Sequence, residues 1–69
     1  MEKPKLFCEI GDQLKFIEEI HSQNIKKGDV YITIDLIGYG WDLERIEGEG
    51  AKQIRILNSE MKEYLTALE

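Results

Sequence analysis

From Val30 to Ile37 the chain alternates. Val30, Ile32, Ile34 and Leu36 fall on one side of an extended strand, and Tyr31, Thr33, Asp35 and Ile37 on the other. β-Branched and aromatic residues at a period of two predict a half-buried strand whose aliphatic side faces a core. Gly38-Tyr39-Gly40 is a glycine-bracketed turn, and Trp41 to Glu47 reads as the returning strand. Leu43 and Ile46 stand three apart, which predicts a bulge near Glu44-Arg45 or an early end to that strand. Gly48-Glu49-Gly50 makes a second turn. Ala51 to Leu57 then predicts a third strand, with Ile54 and Ile56 inward and Gln53 and Arg55 outward.

On either side the period changes. At about 100° per residue, Ile10, Leu14, Ile17, His21 and Ile25 share one arc, which predicts an amphipathic helix from about Ile10 to Asn24. Asp12 suits its first turn, and Lys26-Lys27-Gly28 its end. Asn58 and Ser59 offer caps to a last helix whose apolar stripe is Met61, Tyr64, Leu65 and Leu68. Residues 3–9 read either as a short edge strand or as an arm packing Phe7 on the core, with Pro4 against regular pairing at the start.

The expected architecture is therefore a single small α+β domain over residues 1–69. A three-stranded antiparallel meander is covered on one face by an N-terminal and a C-terminal helix (α-β-β-β-α), with a short extra N-terminal strand as an open alternative. Leu14, Ile17, Ile34 and Leu65 are expected to be buried together. The sheet's other face would carry Tyr31, Thr33, Asp35, Ile37, Asp42, Glu44 and Arg55. Lys27-Gly28-Asp29-Val30 resembles the lead-in to the first long strand of many SH3-like and other small barrels, though four residues of common type assign no family.

Charge sharpens the picture. The net charge is −5, and all of it lies between Gly28 and Gly50, where six carboxylates face Arg45 alone; the segments on either side balance. Scattered lysines and a negative surface argue against direct nucleic-acid binding and against an anionic membrane. Nothing approaches the length of a membrane span, and Cys8, the single cysteine, allows no internal disulfide. A reducing, cytoplasmic compartment is the expectation.

Candidate chemistry is sparse. His21 stands alone, so no histidine cluster is available, and it is expected to pack at the core boundary; nothing in their spacing pairs it with Cys8. The carboxylates lack the alternating order of a calcium loop, and neither glycine turn leads into a phosphate-binding helix. No cofactor, metal or catalytic residue is expected. Tyr39 draws attention because a turn apex is normally polar, and Trp41 beside it faces either core or solvent. These features predict a non-catalytic protein-binding module, an inhibitor or adaptor of bacterial or phage regulatory type. It would dock Tyr31, Thr33, Asp35, Tyr39, Trp41, Asp42 and Glu44 on a basic site of a larger protein, which need not but can be a nucleic-acid-binding one. Two alternatives stand beside it: a dimeric small-ligand or nucleotide binder that stacks a ring on its aromatics, and a structural homo-oligomer built by edge pairing.

Overall fold

The computed structural model describes residues 5–68. Its elements are β1 (Gln13–Phe16), a single 3-10 turn (His21–Gln23), β2 (Val30–Ile37), β3 (Gly40–Glu47), β4 (Gln53–Leu57), α1 (Asn58–Tyr64) and β5 (Leu65–Ala67). The strands form one antiparallel sheet in the order β4-β3-β2-β1-β5. This corrects the expected fold: the sheet has five strands rather than three, and one short helix replaces two. Across five strands the outer two would lie about 19 Å apart if flat. Yet α1, seven residues or about 10 Å long, joins them directly. The sheet must therefore curl so that its two outer strands approach each other.

The predicted N-terminal helix is absent because its apolar spacing also fits a strand. Leu14 and Phe16 alternate and are buried, whereas Ile10, Ile17 and His21, from the same helical arc, are exposed. Gly11 at φ +95° cannot sit in an α-helix, and it bonds β2 instead, its N–H donating to the Thr33 carbonyl at 2.8 Å. Ile25 still reaches the core, through a tight pairing with Ile20 that folds the β1–β2 loop inward. The C-terminal helix forms but is short. Met61 is buried on α1, and the stripe then breaks as Leu65 turns extended and pairs with Phe16. No strand forms among residues 5–12, where Phe7 lies half-buried against the core; Pro4 is outside the described residues.

The long hairpin is where expected, but the first half of β2 faces the opposite way. Tyr31 and Thr33 are buried, at 0% and 1% exposure, while Ile34 is 42% exposed. Two register shifts explain the pattern. Val30 and Tyr31 pair with Glu47 and Arg45, skipping Ile46; Thr33 and Asp35 pair with Leu43 and Asp42, skipping Ile34. Each skipped isoleucine is a bulge, and the second resets the phase so that Leu36 faces inward opposite Trp41. Leu14 and Leu65 share the core as expected, but Ile17 and Ile34 do not. The interior is built on Phe16, Tyr31, Trp41, Leu43, Ile56 and Met61, with Phe16 and Tyr31 edge to face at 5.3 Å.

Candidate functional site

Of the seven residues expected to dock a partner, three are interior: Tyr31 and Thr33, expected on the surface, and Trp41, for which core and solvent were both open. Tyr31 donates its hydroxyl to the Ala51 carbonyl, and burial, with the nearby Asp29 charge, pushes its pKa up. Thr33 is a fastener: its hydroxyl donates to the Glu9 carbonyl at 2.7 Å and accepts the Asp12 N–H at 3.1 Å. Trp41 faces the core, its Nε1 donating to Asn58 Oδ1 at 2.9 Å. That same Oδ1 takes the Phe7 N–H, and Asn58 Nδ2 reaches the Lys5 carbonyl, so the residue expected to cap α1 staples the N-terminal arm instead.

Asp35, Tyr39, Asp42 and Glu44 do reach the surface, and the ladder sets them in a grid across β2, β3 and β4. One row is Ile37, Gly40 and Leu57; the next is Asp35, Asp42 and Arg55; the third is Ile32, Glu44 and Gln53. Residues directly opposite share a face, so all nine positions are on the outer side. Ile34 joins them at its bulge, lining a groove of about 350 Å³ with Asp42, Gln53 and Arg55. Tyr39 stands at the turn apex, 60% exposed.

Gly40 shapes this face. Having no side chain, it lets Arg55 lie across β3, where a Cβ on Gly40 would meet its Cδ at 3.4 Å. The guanidinium then closes a two-pronged ion pair on Asp42, at 2.6 and 3.2 Å. Arg55's hydrogen bond holds the Asp42 carboxyl below the usual carboxylate range, and Asp42 in turn raises Arg55. Asp35 and Glu44 have no ion-pair partner among the described residues, although Asp35 accepts the Leu36 N–H. Three carboxylates against one guanidinium leave the face net negative, framed by Ile34, Ile37, Leu57 and Tyr39.

Sequence reasoning placed Ile37 on the outer face, as found, but missed Ile34 and Leu57 as contact residues. Leu57 and Ile37 were legible from strand phase; Ile34 was not, because only the bulge turns it out. His21 is exposed on the 3-10 turn, 3.4 Å from Glu19, rather than packed at the core boundary. Cys8 is half-buried, and burial together with Asp12 pushes its thiol up to about 11. Among the described residues no three His, Cys, Asp or Glu side chains gather to hold a metal ion, and no helix is long and apolar enough to cross a membrane. Comparison with protein-family models, with curated proteins and with solved structures finds no match for this chain.

Proposed function

We propose that the protein is a small non-catalytic binding module, an inhibitor or adaptor, that docks the outer face of β2–β3–β4 on a basic surface of a larger protein. The observation that carries this reading is the grid itself: exposed Ile34, Ile37, Leu57 and Tyr39 enclosing Asp35, Asp42 and Glu44. Apolar anchors hold a complex while carboxylates select and steer a cationic partner. A protein that binds nucleic acid is one partner of that chemistry. The ring-stacking alternative loses support, since Tyr31 and Trp41 are interior and leave Tyr39 alone.

Capture with a cross-linker on the wild type, followed by mass spectrometry, identifies the partner; variants then test the surface. Asp35→Lys with Glu44→Lys is the charge reversal to use, because it spares the Asp42–Arg55 pair. It should slow association, and added salt should do the same to the wild type as the Debye length falls from about 10 Å at 0.1 M to about 3 Å at 1 M. Tyr39→Ala and Leu57→Ser should mainly speed dissociation. Melting temperatures should hold, as all four side chains are on the surface. Binding indifferent to salt and to all of these substitutions refutes the proposal.

A further inference from the structure

The two ends of the sheet are protected differently. Open strand edges invite pairing with another chain, and proteins blunt them with shortness, charge, proline or bulges. β5 is only three residues long. β4 has five, Gln53-Ile54-Arg55-Ile56-Leu57, with no proline and no register shift against β3. Its one charged side chain, Arg55, is folded back onto Asp42 and away from the edge.

The hydrogen-bond pattern shows which groups are free. Lys52 O accepts from Arg45 N, and Asn58 N donates to Tyr39 O. Antiparallel ladders alternate, so the even-numbered residues between them face β3, and Gln53, Arg55 and Leu57 turn N–H and C=O outward. β4 is the last strand of the sheet, and among the described residues nothing pairs with that row.

We infer that β4 accepts an extended segment of the partner as a sixth strand, one that alternates apolar and cationic side chains. This deepens the proposed function and rests on it. A strand laid beside β4 puts alternate side chains next to Ile54 and Ile56, on the inner side, and the others next to Gln53, Arg55 and Leu57. Inner positions call for apolar residues. Outer ones extend the face beside Glu44, which is opposite Gln53 and has no ion-pair partner among the described residues; this calls for long cations able to reach across β4.

The probe is a capped synthetic peptide, (Val-Lys)4, compared with (Val-Glu)4 and with (Val-Lys)4 N-methylated at alternate amides. Hydrogen exchange is followed by NMR at each β4 amide of the full chain. The inference expects (Val-Lys)4 to slow exchange at Gln53, Arg55 and Leu57 by about tenfold or more, with little change at Ile54 and Ile56. (Val-Glu)4 should not do so, and N-methylated (Val-Lys)4 should do so in at most one of its two methylation frames. Arg55→Pro should abolish binding and Arg55→Gln retain it, since proline removes the outward N–H and is tolerated on edges. Should Arg55→Pro fail to fold, the N-methylated peptide still decides. Signals moving at Asp35 and Glu44 without edge protection overturn the strand inference and leave the face reading standing. Equal protection by (Val-Glu)4, no protection by any peptide, or protection that grows with protein concentration alone also overturns it, the last in favour of a second copy.

Discussion

Replacing Asp29 with alanine should unfasten one end of the curled sheet. Asp29 is 3% exposed, and its carboxylate accepts three backbone N–H groups: Lys26 at 3.0 Å, Glu49 at 3.1 Å and Gly50 at 2.9 Å. It thereby ties the β3–β4 turn to the end of the β1–β2 loop, beside Arg45, which donates to the Gly50 carbonyl. The Gly50 bond is buried, so leaving that donor unpaired costs about 1–3 kcal/mol. The other two are partly hydrated, and each contributes about 0.5–1.5 kcal/mol. Because these bonds are not independent, the expected loss for Asp29→Ala is about 2–4 kcal/mol. Total stability for 69 residues is about 3–10 kcal/mol, so much of the domain's margin is at stake. Urea unfolding followed by the fluorescence of buried Trp41 measures it. A Cβ on Gly48, at φ +114°, would run into Asp29's carboxylate, so Gly48→Ala should cost less in the Asp29→Ala background than alone. A loss under about 1 kcal/mol for Asp29→Ala, with no coupling to Gly48, would mean that water replaces the carboxylate and the fastener is superfluous.

Leu43→Ala should cost about 2–5 kcal/mol, whereas Ile34→Ala, on the surface, should cost under about 1 kcal/mol; reversal of that order in chemical unfolding would refute the assignment of faces. Thr33→Val keeps the shape but removes the hydroxyl's bonds to Glu9 and Asp12; because the Asp12 N–H retains the Glu9 carbonyl, the cost by the same measurement should be about 0.5–1.5 kcal/mol. Raising a thiol's pKa lowers its thiolate fraction at any lower pH, so with Cys8 at about 11 against a usual 9, alkylation by iodoacetamide at pH 8 should run about a hundredfold slower than for a free thiol. An ordinary rate there would show the thiol to be open to water.

What could be read in advance depended on how many constraints met at each position. Ile54 and Ile56, in an unbroken strand, faced inward as their alternation required, and Gly38-Tyr39 made the expected turn. At Leu14 and Ile25 a helical and an extended reading shared the same residues, and long-range pairing of Gln13–Lys15 with Val30–Ile32 decided between them. Propensity yields to such pairing. In the first half of β2 the period was correct but its phase was not; beyond the bulge at Ile34, Asp35, Leu36 and Ile37 kept the expected faces. A period of two leaves both faces open, and Tyr31 and Thr33 went inside because Ala51, Glu9 and Asp12 offered their polar atoms partners there. For the surface, Asp35, Asp42, Glu44 and Tyr39 were legible as hairpin residues. The tethering of Arg55 across Gly40 was not, since it depends on register between separate strands.

The two skipped isoleucines make β2 and β3 each one residue longer than pairing requires. Excising Ile34 would join Thr33 to Asp35 and leave every remaining side chain of β2 on the face it already occupies; excising Ile46 would do the same for β3. Loss of a residue away from these two bulges would instead turn those beyond it inside out. The hairpin thus has two places where its length can change by one without rewriting its interior. Both lie on the solvent side, where such an excision would flatten the sheet while leaving the core sequence untouched.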